Sequence, residues 1–126
     1  LAGGDGKRMP RIGYGTCCRP SSKGQPIISS TLEYIRQGGR LIDTAQMYDN
    51  HKDLRIAIRQ SGVQRVELWV TSKVRTLRDD GSEFKGNHRA AVVAQVDVIL
   101  EELGLEYVDL LLLHHAKGNT PAERGE

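Results

Sequence analysis

The sequence predicts an α/β fold with four parallel strands joined by three crossover helices. Short apolar runs alternate with longer stretches of helical periodicity, the pattern of a parallel sheet with right-handed crossovers. Glycine punctuates the end of each helical stretch, at Gly38-Gly39, Gly62 and Gly104, as left-handed caps require. The run from Tyr107 to Leu113 is almost continuously apolar, as expected of a strand buried on both faces.

The elements follow in order. Leu1 to Pro10 is turn-rich, and Gly3-Gly4-Asp5-Gly6 is a hairpin signal. Arg11 to Thr16 reads as a first strand, and Arg19 to Gln25 as a polar loop. Pro26 suits the first turn of a helix, where its missing N–H costs nothing. Ile28, Leu32 and Ile35 then recur on one face. Leu41 to Asp43 is a second strand, and residues 50–60 form a second helix with Leu54 and Ile58 four apart. Val66 to Thr71 alternates apolar and polar and reads as a third strand. Residues 75–86 are a charged loop, and Asn87 is placed to cap a third helix. Val92, Val96, Ile99 and Leu103 mark that helix's buried face. Ala116 to Glu126 is a polar tail, so residues 1–126 read as one domain with a tail at 116–126.

The totals bound the function. A chain of 126 residues can bury roughly two thirds of its unfolded surface. Its 18 basic and 16 acidic residues give a net charge of +2 and are interspersed. With aromatics at 5% and no basic stripe, nucleic-acid binding is not expected. The longest apolar stretch, Val108 to Leu113, contains Asp109 and is too short to span a membrane. No metal-binding cluster stands out. Cys17 and Cys18 are neighbours. A disulfide between them would be strained, so they read as two small, partly buried side chains in a reducing compartment, cytoplasm or organelle interior. The first residue is Leu1, with no targeting segment before it, so the chain is expected to be processed, truncated or part of something longer.

In a parallel β/α barrel, chemistry sits at the carboxyl ends of the strands. Asp43, Lys73 and His114 each fall there, and Tyr48 lies in the loop after Asp43. Reducing a carbonyl with hydride leaves an alkoxide that needs a proton. A phenol such as Tyr48 donates it, and a nearby ammonium such as Lys73 favours the phenolate left behind. Asp43 would keep the lysine charged and pointed, and a neutral His114 would orient the substrate oxygen.

These residues stand in Leu41-Ile42-Asp43-Thr44-Ala45, Tyr48, Val70-Thr71-Ser72-Lys73 and Val108-Asp109-Leu110-Leu111-Leu112-Leu113-His114. Together they resemble the catalytic tetrad of the aldo-keto reductases. The likeness extends through Gly13-Tyr14-Gly15-Thr16, Gly39-Arg40 and Leu103-Gly104-Leu105-Glu106-Tyr107. It implies half of a TIM-type (β/α) barrel, four of its eight βα units, with an N-terminal hairpin plugging the bottom. It implies NADPH as cofactor, Thr16 and Asp43 as cofactor contacts, and an aldehyde or ketone as substrate.

The departures are specific. Gly39 stands where the family usually has an aromatic, His51 where it has Glu or Gln, and Arg55 where it has Gly. Cys17 replaces a common pocket Trp, and His115-Ala116 replaces Trp-Pro. A complete barrel needs roughly 250 residues, and the family's later cofactor contacts have no counterpart here. Gly13-Tyr14-Gly15 is too short to be a dinucleotide fingerprint. Two readings stay open. The chain is the N-terminal half of an NADPH-dependent carbonyl reductase, incompetent alone. Alternatively it is a non-catalytic scaffold or interaction subunit. Either way another protein chain is expected to cover the open barrel edge, because unpaired strand edges invite pairing.

Overall fold

The computed structural model describes residues 6–75 and 88–114. Four strands lie side by side in chain order, all parallel: β1 (Gly13–Gly15), β2 (Leu41–Asp43), β3 (Trp69–Val74) and β4 (Leu110–Leu113). Three helices connect them: α1 (Gly24–Arg36), α2 (His51–Ser61) and α3 (His88–Leu103). This is the partial barrel the sequence predicts. The first half of the hairpin expected at Leu1 to Pro10, the loop at 75–86 but for its first residue, the Asn87 cap and the tail at 116–126 lie outside the described residues.

Each helix buries the face its periodicity marks. Ile28 and Ile35 of α1, Leu54 and Ile58 of α2, and Ile99 and Leu103 of α3 meet Ile42, Val70 and Val74 of the sheet. Leu32, Val92 and Val96 pack at the margin of this core. α1 ends as its glycines require: Gly38 is left-handed at φ +90°, and the Gly39 N–H returns 2.9 Å to the Tyr34 carbonyl.

Gly39 has a second role. A Cβ there would lie 2.3 Å from the Tyr34 ring. That ring stacks on Tyr14 at 5.2 Å, and its hydroxyl bonds the Ile12 carbonyl at 3.1 Å. Tyr34 thus fills the space over the start of β2 in a chain whose signature lacks the usual aromatic. The Gly39→Ala variant is expected to lose about 1–3 kcal/mol, the range for forcing extra volume into packed structure. A chemical denaturation midpoint measures it. Arg55 likewise finds an exit: it crosses Gly104 at the end of α3, and its guanidinium bonds the Glu101 carbonyl at 3.3 Å.

Several expectations are corrected. β1 is shorter than Arg11 to Thr16. α1 begins two residues before Pro26, at the left-handed Gly24. β3 is displaced along the chain: Arg65–Glu67 forms a 3-10 turn, and the strand runs from Trp69 to Val74. Arg65 fixes that turn, its guanidinium bonding the Leu68 carbonyl at 2.7 Å and the Tyr107 carbonyl at 2.9 Å. β3 does not alternate in burial: Trp69, Val70, Thr71 and Ser72, on both faces of the strand, are all buried. Conversely, β4 is shorter than Tyr107 to Leu113 and is not buried on both faces. Leu111, Leu112 and Leu113 are 37%, 40% and 63% exposed. The apolar run is as expected, but among the described residues nothing flanks β4 on its far side. Cys17 and Cys18 stand side by side in the loop after β1, Cys17 half-buried and Cys18 exposed, with Cys18 left-handed at φ 69°.

Candidate active site

Register gathers the candidate residues at one end of the sheet. Gly15, Asp43 and Thr71 are level across β1, β2 and β3, and Lys73 is level with Leu112 on β4. Asp43 therefore ends β2 close to Lys73, the penultimate residue of β3. Tyr48 closes a 3-10 turn, Gln46–Tyr48, that bends back over the strand ends. His114 follows β4, its N–H continuing the ladder to the Val74 carbonyl at 2.9 Å.

The centre of the cluster is the Lys73 ammonium. It donates to Asp43 Oδ1 at 2.8 Å, the Thr44 carbonyl at 3.0 Å and Tyr48 Oη at 3.1 Å. An ammonium has three protons, so this set spends them all. Lys73 is only 14% exposed, and the Asp43 carboxylate facing it is 39% exposed. Because Tyr48 accepts from Lys73, its own O–H is not spent on that contact. The His114 ring meets the Tyr48 ring edge-on, 5.5 Å between centroids. A phenol with a free proton, a cation behind it, a carboxylate fixing the cation and an imidazole beside it can together deliver a proton to a bound oxygen.

Thr16 lies beneath this cluster. It is 1% exposed, and both its N–H and its hydroxyl reach the Asp43 carbonyl at 3.1 Å. Its side chain thus holds the end of β2 against β1. Sequence reasoning missed Asn50. Its amide donates to the Thr16 carbonyl at 2.9 Å and the Ser22 carbonyl at 3.0 Å, and accepts from the Thr44 hydroxyl at 3.1 Å. Thr44 in turn offers its carbonyl to Lys73. The sequence places Asn50 inside the helix expected at residues 50–60; it stands just before α2, and its side chain makes no cap bond.

Behind β3, Ser72 turns to the opposite face and meets His51. The imidazole is 2% exposed, with Nδ1 2.9 Å from Glu102 Oε2 and Nε2 3.4 Å from the Ser72 hydroxyl. A neutral ring donates from Nδ1 to the carboxylate and accepts at Nε2. Burial pushes the His51 pKa below its ordinary 6.5, against the opposing pull of Glu102. Below 6.5 the unfolded chain therefore binds a proton that the folded chain resists. Stability falls as pH drops from there until the folded imidazole itself titrates. His51→Gln is expected to flatten this slope. Thermal midpoints at about pH 5 and about pH 7 should differ less in the variant than in the wild type.

The Aldo/keto reductase family model matches residues 25–125. The chain is 40% identical over 114 residues to an aldo-keto reductase of Mycobacterium avium, covering 90% of this chain and 36% of that protein. It is 37% identical over 117 residues to the glycerol 2-dehydrogenase (NADP(+)) of Saccharomyces cerevisiae, covering 93% and 33%. Among solved structures, an aldo/keto reductase from Brucella melitensis superimposes with a TM-score of 0.70 at 30% identity, covering 90% of this chain and 39% of that one. The chain thus spans about a third of the length of the relatives it matches.

Proposed function

Because the chain belongs to the aldo/keto reductase family, we propose that it supplies the proton-donating half of an NADPH-dependent carbonyl reductase, acting on an aldehyde or ketone. The observation that carries this reading is the Lys73 ammonium with all three protons spent on Asp43, Thr44 and Tyr48. Such a set leaves the tyrosine proton free for the substrate oxygen. Tyr48 donates that proton, Lys73 stabilises the phenolate that remains, and Asp43 keeps Lys73 in place. His114 binds and orients the carbonyl oxygen beside Tyr48.

NADPH, when bound, supplies the hydride. The donor set fits only its nicotinamide end, with Asp43 and Tyr48 at the open side. Thr16 is buried and engaged with Asp43, and no glycine-rich phosphate cradle stands among the described residues. The phosphates must be held by later strands, from the same polypeptide or from a partner chain.

The test completes the barrel. The chain is co-expressed with the C-terminal remainder of the Mycobacterium avium relative and titrated with NADPH by fluorescence, then given a benzaldehyde. Saturable NADPH binding followed by NADPH oxidation on aldehyde addition is the expected result. A soluble complex that binds NADPH but never oxidises it would overturn the proposal.

One observation favours a second reading, that of a non-catalytic docking module. Leu111, Leu112 and Leu113 lie open on β4, and exposed apolar edges invite pairing with another chain. On this reading the chain aggregates when expressed alone and stays soluble only with its partner. A well-behaved monomer would count against it.

A further inference from the structure

Beyond the reductase reading lies the pair at the mouth, Cys17 and Cys18. We propose that it is a reversible thiol–disulfide modification site, exchanging with small disulfides of the glutathione class. The pair follows Thr16 directly, in the loop that leaves β1 at the end of the sheet where Asp43 and Lys73 stand. Cys17 is half-buried and Cys18 is exposed, so one sulfur is open to reagent while the other stands close enough to resolve the adduct. Cys18 holds φ 69°, a conformation that a non-glycine residue keeps only when its surroundings impose it. Exposed disulfides are the ones that exchange readily. Arg19 follows the pair and is exposed, adding a cation that attracts an anionic disulfide such as oxidised glutathione.

The exchange balances. One cysteine thiolate attacks a sulfur of oxidised glutathione, forming a mixed disulfide and expelling one glutathione thiolate. The second cysteine attacks the mixed disulfide and expels the other. Two protein thiols become one disulfide, and one oxidised glutathione becomes two reduced molecules. Excess reduced glutathione runs the steps backwards.

The position gives the modification a consequence. The Asn50 amide brackets this loop, holding the carbonyls of Thr16 before the pair and Ser22 after it. Asn50 also binds the Thr44 hydroxyl, and the Thr44 carbonyl accepts from Lys73. Closing or opening the disulfide alters the chain between two points that Asn50 fixes, and the same Asn50 holds Thr44, a partner of Lys73.

The experiment equilibrates the full chain in glutathione buffers from reduced to oxidised and reads the cysteine-bearing peptide by mass spectrometry. In oxidised buffer that peptide should lose two hydrogens and carry no adduct, and excess reduced glutathione should reverse this. Cys17→Ser and Cys18→Ser should each accumulate one glutathionyl group instead. Amide exchange at Ser22 should be several-fold slower in the oxidised chain. A pair that stays as two thiols in every buffer, or that takes up two glutathionyl groups, would overturn the site. Equal exchange at Ser22 in both states would overturn its effect on the mouth.

Discussion

Tyr48→Phe is expected to lower aldehyde turnover in the completed barrel by about 10²–10⁴-fold, the range for removing a general acid. The expectation follows from the direction of one hydrogen bond. Lys73 donates to Tyr48 Oη at 3.1 Å, so the hydroxyl keeps its own proton available for a substrate oxygen. Phenylalanine keeps the ring against His114 and under Lys73, whose Nζ stands 4.9 Å from the ring centroid. It removes only the donor. The ammonium keeps Asp43 and Thr44, so the structural cost should stay near the net value of one hydrogen bond, about 1 kcal/mol. The catalytic loss corresponds to about 3–5 kcal/mol at roughly 1.4 kcal/mol per tenfold. Chemistry therefore separates from folding: kcat falls by orders of magnitude while NADPH affinity holds and the unfolding midpoint drops by only a few degrees. A variant within about threefold of wild type would mean that the proton comes from another group.

The four candidate residues were legible because each sits in a short local pattern, a strand end or the loop after it. Their convergence needs only the parallel topology, which the alternation of elements already indicates. What a local pattern could not carry is the partner. Asn50 falls within the expected helix at residues 50–60, yet its bonds go to the Thr16 carbonyl 34 residues away and the Ser22 carbonyl 28 residues away. The start of β3 was misplaced for the same reason. Val66-Glu67-Leu68 alternates as a strand does, but Arg65 is drawn to Asp109, 44 residues on, and the chain turns to let it reach. Leu111 and Leu113 pair with Ser72 and Val74, and Leu112 with Lys73, so the two faces of β4 carry apolar groups as a strand inside a closed barrel does.

Asp109 should prove the most costly single residue to remove. Its carboxylate is 7% exposed and accepts from Lys7 Nζ, Arg65 Nη2 and the Val70 N–H, each at 2.7 Å. Its own N–H reaches the Val70 carbonyl at 2.8 Å. It therefore ties the N-terminal segment, the turn before β3 and the entry to β4 into one network at the end of the sheet opposite the tetrad. Lys7 and Arg65, each 19% exposed, also hold the Leu68 carbonyl. Asp109→Ala leaves both cations partly buried without their anion and orphans the Val70 N–H. The expected loss is about 3–5 kcal/mol, the cost of breaking a buried pair from one side. Against a total of about 5–15 kcal/mol for a domain, that is enough to leave a marginal fold. Acid provides an independent check. Burial alone would raise the Asp109 pKa, but the bonds from Lys7, Val70 and Arg65 outweigh it and hold the carboxyl below its ordinary 3.8. Its stabilisation is therefore fully present above 3.8 and is lost as pH falls through the lower, folded value. Asp109→Asn, which cannot titrate, should be less stable at neutral pH and should lose less on acidification. Equal acid sensitivity in wild type and Asp109→Asn would place the acid-labile contact elsewhere.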